Sequence, residues 1–408
     1  MTTPSPTVGG HPPRFPTLIA LLFGAVGFIS LLTEVLPAGV LPALAKDLGV
    51  SESLAGQSTG VFALGCIVAA IPLTMATARL PRRTVLVSIL LVSAIANFGT
   101  AFAASLPGHL SFRFLAGCAA GAVWAALPGY TRGFSTPKNY GANLSIALGG
   151  GTLSLALGVP VGTLLSVPLG WRGVFALIAG ITIVIAVLVR CFAPRVPGPG
   201  RTRGAGLGAA IRTPLVLLVL GLVVGSVVGQ NVAYTFIAPV LAERGGGLSL
   251  SAALTVFGVA SLIGTLGAGR LPAAYLGRWV FSSLALAALG LGLLAWPGAP
   301  LLAALIPWGL AFGAYSVLTQ LAVGRAGGPA ADAAQSLLVT SWNLAIMAGG
   351  ALGGIGLAIL GPIWLAPLAT AITVLTIPVG IAVARGLRIT EPNSETRPKP
   401  LRDAPGGS

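Results

Sequence analysis

An all-α membrane protein, with twelve transmembrane helices in two six-helix pseudo-symmetric bundles, is the fold class this sequence predicts. Three observations carry it. Hydrophobic residues make up 55% of the 408-residue chain and charged residues 8%, with a mean hydropathy of +0.95, a balance far from that of soluble domains. Apolar runs recur along nearly the whole chain, each at or above the roughly 20 residues that cross a bilayer as a helix. The ten-residue alternation of a membrane β-barrel is absent, so the spans are helical.

The runs place spans 1 to 12 near residues 17–40, 54–78, 84–105, 110–131, 140–165, 172–193, 214–242, 252–276, 279–297, 300–324, 332–360 and 363–386. Span 1 follows a Pro-rich polar leader ending near Arg14. It is too long for a signal-peptide core and lacks a small-x-small cleavage site, so it reads as a retained first helix. Span 2 closes on Arg79-Leu80-Pro81 and span 8 on Arg270-Leu271-Pro272. Matching Pro42 in span 1 with Pro239 in span 7 sets Glu34 opposite Asn231. Between spans 6 and 7 the stretch from Pro194 to Arg212 is rich in Gly, Pro and Arg, as an inter-domain linker should be. The expected organisation is a cytoplasmic leader over 1–16, a bundle over 17–193, a cytoplasmic linker over 194–212, a second bundle over 213–386 and a disordered cytoplasmic tail over 387–408. Two six-helix repeats about an axis normal to the membrane are a common plan for secondary transporters, with the substrate site between them.

The net charge of +15 would suggest nucleic acid in a soluble domain, but its distribution argues otherwise. Arg79, Arg82, Arg83, Arg132, Lys138, Arg190, Arg195, Arg201, Arg203, Arg212, Arg270, Arg278 and Arg325 fall in loops on one side. Only Lys46, Arg172 and Arg244 fall on the other. This asymmetry predicts a multi-pass protein of the cell membrane with both termini in the cytoplasm, and the basic charge is topology rather than a nucleic-acid surface. Cys66, Cys118 and Cys191 lie in apolar segments and are odd in number, so they read as buried free thiols and not as a disulfide framework. His11 and His109 fall in the leader and in a short outer loop, with no ligand partner at a useful spacing, so no metal or other cofactor is expected. A Gly-rich Lys-Ser/Thr phosphate loop is absent, which excludes an ATP-driven pump of that type. An enzyme is not expected either, because one embedded acid and no embedded histidine supply neither nucleophile and base nor a metal cluster.

Glu34 is the one acidic residue that a hydrophobic segment carries into the membrane. The other seven, Asp47, Glu52, Glu243, Asp332, Glu391, Glu395 and Asp403, fall in loops, at segment ends or in the tail. A carboxyl on a membrane helix costs about 2.5–3.5 kcal/mol even on gentle insertion scales, so it should face a partner or a wet cavity. A low dielectric favours the neutral form of a carboxyl, which makes such a group a candidate proton carrier. The 58 glycines read mainly as close helix contacts, with Gly158-x-x-x-Gly162 and the Gly349-Gly350, Gly353-Gly354 cluster as the leading candidates.

Several motifs together carry a resemblance. The run Glu34-Val35-Leu36-Pro37-Ala38-Gly39-Val40-Leu41-Pro42, ending in Asp47-Leu48-Gly49-Val50-Ser51, resembles helix 1 of the twelve-helix drug:proton antiporters of the major facilitator superfamily. The nearest branch holds arabinose-type, chloramphenicol and purine-efflux proteins. Arg79-Leu80-Pro81-Arg82-Arg83 sits where that superfamily has its helix 2–3 motif, and Arg113-Phe114-Leu115-Ala116-Gly117 is similar to its helix 4 motif. Gly149, Gly158 and Gly162 keep the spacing of the helix 5 antiporter motif. Two departures stand out. Ala78 replaces the acid of the helix 2–3 motif and Pro81 its glycine, leaving Arg79, Arg82 and Arg83 to bind facing helix ends or anionic lipid. Pro160 lies between the second and third glycines of the helix 5 motif rather than after the third, where it still implies a kink and close packing.

The resemblance implies proton-coupled efflux of a small organic compound by alternating access, with Arg113 joined to Glu34 in proton coupling. Trp124, Gln230, Asn231, Tyr234, Tyr315, Trp342 and Asn343 are candidates to line a mostly apolar cavity, which suits amphipathic molecules or planar heterocycles. Trp296 and Trp308 read as interfacial or packing residues. The expected partners are substrate, protons and lipid, and the chain is expected to act as a monomer. Import or facilitated diffusion of a sugar or nucleoside is the alternative on the same fold, and a non-transporting receptor is a more distant one.

Overall fold

The computed structural model describes residues 16–198, 206–245 and 247–389, and all regular structure among them is helical. The leader up to residue 15, Arg201 and Arg203 of the linker, and the tail from 390 lie outside the described residues. Span 1 is α1 (Pro16–Gly39), which breaks at Val40 and continues as α2 (Leu41–Leu48). Spans 2 to 4 are α3 (Glu52–Thr77), α4 (Arg82–Phe102) and α5 (Leu106–Phe134). Ser51 and Ser105 cap α3 and α5 by accepting from Leu54 N and Gly108 N, which satisfies donors left free at a helix start.

Span 5 is a composite. It begins as α6 (Tyr140–Leu153), passes through a π turn at Ser154–Gly158, and enters the long α7 (Val159–Phe192). Pro160 at the start of α7 cannot donate to the turn before it, and the helix widens there rather than breaking. Gly170 (φ 68°, ψ 163°) then reverses the chain, so α7 holds the end of span 5 and all of span 6. Among L-residues that backbone geometry is open essentially to glycine alone.

The linker includes a short helix, α8 (Leu207–Arg212). Span 7 is α9 (Pro214–Thr235), broken at Phe236 and continued as α10 (Ile237–Arg244). Spans 8 to 12 are α11 (Leu250–Ala268), α12 (Leu276–Ala295), α13 (Leu301–Gly327), α14 (Ala331–Leu360), and α15 (Leu365–Leu375) followed by α16 (Ile377–Ile389). Among the described residues, ten stretches are long and apolar enough to cross a membrane. Twelve crossings result because Leu301–Leu360 contains two, turned by a 3₁₀ segment at Gly328–Ala330, and because α6 completes span 5.

The internal repeat is sharper in the structure than in the sequence. Spans 1 and 7 break into terminal helices of eight residues each, α2 and α10. In the first half, a Cβ on Gly117 or Gly121 of α5 would strike the Phe62 or Cys66 carbonyl of α3. In the second half, one on Gly309 or Gly313 of α13 would strike the Phe257 or Ser261 carbonyl of α11. Each half therefore seats span 4 or 10 on span 2 or 8 through the same four-residue glycine step, which lets the backbones touch. In that register Arg113 matches Leu305. The glycines expected to pack do so in part. Gly158 faces Phe28 and Leu32, Gly162 faces Leu36, and Gly349 and Gly353 face span 7 at Val228, Asn231, Val232 and Phe236, whereas Gly350 meets nothing.

The first half's core centres on Phe23, Ile29, Leu36, Leu90, Leu127 and Phe175. That of the second centres on Leu222, Val280, Leu284 and Val317 near the linker and on Phe257, Leu291, Leu305 and Trp308 toward the opposite face. The halves meet through α3 on α14 and α6 on α11, two contacts that the repeat interchanges. Leu144 and Leu148 of α6 join the second half's core, and Ala70, Ala125 and Val339 form a small mixed cluster. Of the thiols, Cys66 is buried and Cys118 half-buried, but Cys191 is exposed, because it sits on the lipid-facing side of α7 near the linker.

Candidate functional site

Glu34 stands on α1 three residues before Pro37. Leu31, one turn earlier on the same face, reaches Gly151, as does the ring of Trp124. Trp124 packs against the cores of both halves. The Glu34 face of α1 is therefore turned toward the region between the halves. Glu34 is half-buried.

Proline has no N–H to offer the carbonyl four residues back, so Pro37 strips Thr33 O of its helical partner. Arg113 supplies it. Its Nη1 donates to Thr33 O at 2.7 Å and its Nη2 to Glu34 O at 3.1 Å. The guanidinium stacks over the ring of Phe62, 4.6 Å from its centroid, and is fully buried. This corrects the expected pairing in one respect: Arg113 grips the backbone of Glu34, and no ion pair to the Glu34 carboxylate forms among the described residues.

A polar network that sequence reasoning missed surrounds this grip. Asn97 on α4 donates to Thr33 Oγ1 at 3.2 Å and to Ser93 O at 2.9 Å. His109 is not in a loop: it lies in the first turn of α5, fully buried, with Nε2 2.7 Å from Ser58 Oγ. The signal available in the sequence was Ser105, which starts α5 four residues before His109 and so makes the histidine helical. Beyond it, Trp171 Nε1 donates to Asp47 at 3.2 Å. Arg172 pairs with Asp47 at 2.9 Å and donates to the carbonyls of Ala101 and Ala103. That cluster ties the ends of spans 1, 3 and 6 together on the face opposite the linker.

Across the interface the cavity candidates separate into two groups. Trp342 is half-buried and lies 6.4 Å from the rings of both Phe312 and Tyr315. Tyr234 lies 5.2 Å from Phe257 and 6.4 Å from Trp308. Others spend their polar groups inside the bundle. Gln230 accepts from the indole of the fully buried Trp308. The Tyr315 hydroxyl accepts from Ser226 at 2.5 Å and donates to Leu222 O at 3.1 Å. Asn231 and Asn343 donate to carbonyls of their own helices, Val227 O and Val339 O.

On the linker face the halves are latched. Arg82, at the start of α4, pairs with Asp332 in the first turn of α14 at 2.5 Å. Asp332 thus brings an acid from the other half to the arginines of the helix 2–3 segment. Arg83 donates to Ala193 O at the end of α7, a helix end as expected, while Arg79 is exposed. Gly141 of α6 packs closely on Gly269 after α11, and Gly149 on Leu266. A cavity of about 590 Å³ opens beside this latch, lined by Thr74, Arg79, Arg82, Ala126, Leu207 and Asp332. It lies away from Glu34.

The family model described as Major Facilitator Superfamily matches residues 23–350. The chain is 30% identical over 361 residues to a chloramphenicol efflux pump of Mycobacterium tuberculosis, covering 84% of this chain and 86% of that one. It is 29% identical over 389 residues to a purine ribonucleoside efflux pump of Salmonella enteritidis, covering 93% and 95%. Its fold is similar to that of the fucose:proton symporter of E. coli, with a TM-score of 0.71, 14% identity and coverage of 92% and 99%. It is similar also to that of the human organic anion transporter MFSD10, with a TM-score of 0.70, 17% identity and coverage of 91% and 100%.

Proposed function

Because the chain belongs to the major facilitator superfamily, we propose that this membrane transporter exports a small organic compound in exchange for protons. The observation that carries the reading is Glu34, placed on the inward-turned face of α1 at the one point where Arg113 holds that helix by its backbone. A carboxyl held by a backbone grip rather than by an ion pair keeps its oxygens available for a proton. Each proton moved down about 100 mV supplies about 2.3 kcal/mol, more than tenfold in substrate gradient. Export is favoured by the relatives named as efflux pumps. Trp124 and Trp342, with Phe312 and Tyr234, offer apolar and aromatic surface on both sides of the interface, suited to a planar or amphipathic compound.

With the linker in the cytoplasm, as the basic loops imply, the Arg82–Asp332 latch joins the two halves on the cytoplasmic side. The cell membrane is the proposed location. Everted vesicles loaded with a pH-sensitive dye test the scheme. Adding a substrate found by screening antibiotics and purine nucleosides should release protons, and Glu34→Gln should abolish both release and uptake. Undiminished proton-driven accumulation by that variant would remove Glu34 from the mechanism. Accumulation in intact cells rather than in everted vesicles would instead establish import.

A further inference from the structure

We propose that His109 is a second proton-binding group of the coupling machinery, a positioning residue that hands an incoming proton to Glu34 and acts on α1 through Arg113. This rests on the reading of Glu34 as the proton carrier. His109 and Arg113 lie four residues apart on α5, so one helical turn separates them on the same face. Both are fully buried. His109 Nε2 is engaged by Ser58 on α3. Its Nδ1 has no protein partner among the described residues, and neither has Arg113 Nε. Asn97 Oδ1, on the neighbouring α4, is likewise buried and unpartnered. A histidine kept only for packing would be expected to satisfy both nitrogens.

The charged groups facing the ring are few. Arg113 comes from its own helix. Arg172 comes from α7, beside Trp171, whose indole meets the imidazole edge-on at 5.7 Å. Arg172 is neutralised by Asp47 of α2, α3 contributes the uncharged Ser58, and α1 contributes Glu34 behind Arg113. A protonated ring and the Arg113 guanidinium repel across one turn in a medium of low dielectric, so the two charges exclude each other at their present places. With Glu34 protonated, Arg113 stays on the carbonyls of Thr33 and Glu34 and the ring is neutral. When Glu34 is a carboxylate it draws the guanidinium toward itself, the ring holds the proton on Nδ1, and Thr33 O is without its partner, so α1 is free to bend at Pro37. The N–H bond at His109 Nδ1 then breaks as the O–H bond of Glu34 forms, and Arg113 returns to the two carbonyls. Total charge is unchanged, and the proton has moved away from the face opposite the linker, where α5 begins at Leu106.

The chain has two histidines, so full-length protein carrying His11→Asn leaves His109 as its only imidazole. Nuclear magnetic resonance of ¹⁵N-histidine in nanodiscs, between about pH 5 and 9, then reads its protonation directly. Its nitrogens should titrate, and Glu34→Gln should move the midpoint by about half a pH unit or more. Ser58→Ala, which keeps the imidazole, should move it as well. In everted vesicles His109→Gln should flatten the pH profile of export, with the loss of about a tenfold rate change per pH unit on one limb. A ring that stays in one protonation state throughout, with and without Glu34→Gln, overturns the proposal, as does a His109→Gln variant with the parent's pH profile. Either result with Glu34→Gln inactive leaves the Glu34 reading standing. Proton-driven export surviving Glu34→Gln removes both.

Discussion

Asp332→Asn is expected to unlatch the linker face. The Arg82 and Asp332 side chains are 18% and 17% exposed, with Nη2 2.5 Å from the carboxylate oxygen. Two unit charges about 4 Å apart attract by about 4 kcal/mol at an effective dielectric near 20. Desolvation and residual screening reduce the net value to about 1–2 kcal/mol, equivalent to roughly 5–30-fold in the ratio of latched to open conformers. Asparagine keeps the volume and removes the charge, so the change reads the electrostatic part of the latch. The assay is the labelling rate of Ala126→Cys, which lines the cavity beside the pair, by a membrane-impermeant maleimide supplied to the linker face. Cys191→Ser is needed in the background because Cys191 is exposed. Asp332→Asn should raise the rate by that factor, and the exchange of Arg82→Asp with Asp332→Arg should bring it back. A folded Asp332→Asn protein that labels at the parent rate would refute the latch.

Three further outcomes follow from other contacts. Arg113→Ala should lower the thermal midpoint in detergent, since an orphaned buried carbonyl at Thr33 costs about 1–3 kcal/mol. Adding Pro37→Ala restores an N–H to that carbonyl and should recover part of the loss, a coupling that a double-mutant cycle measures. Gly117→Ala should destabilise by about 1–3 kcal/mol through collision with the Phe62 backbone,, whereas Gly221→Ala, with open space around it, should be neutral or mildly stabilising in the same melt. Gly170→Ala should impair assembly of the span 5–6 hairpin, because a φ of 68° with an extended ψ strains any residue bearing a Cβ. Expression and gel-filtration profile check that outcome.

Long apolar runs, loop charges and a lone embedded acid made the class, the number of spans and Glu34 readable from composition. In a bilayer each backbone must satisfy itself within its own helix, so local sequence alone specifies where spans lie. Some features of the molecule depend on more than local hydropathy. His109 was placed in a loop because the run before it, Ala103 to Leu110, contains Ser105, Pro107 and Gly108. In the structure those residues form a cap and a first turn. The seam between spans 5 and 6 fell where it was expected, between residues 165 and 172, with Gly170 turning the chain, but the π turn at Ser154–Gly158 leaves no mark in hydropathy. The weak proline echo between spans 1 and 7 became a strong repeat only when the glycines of spans 4 and 10 could be seen resting on the same carbonyls of spans 2 and 8.

Which groups share the membrane interior, and where on each helix, is therefore written in the order of residues, since burial in lipid is a property each segment meets by itself. Partner choice is not. Arg113 could have gone to the Glu34 carboxylate and instead took the carbonyl that Pro37 left open. Arg82 found its acid 250 positions away, in a helix that only the docking of the two halves brings near. Helix crossing and the close approach permitted by glycine decide such pairings, because they depend on distances between segments that no single segment encodes.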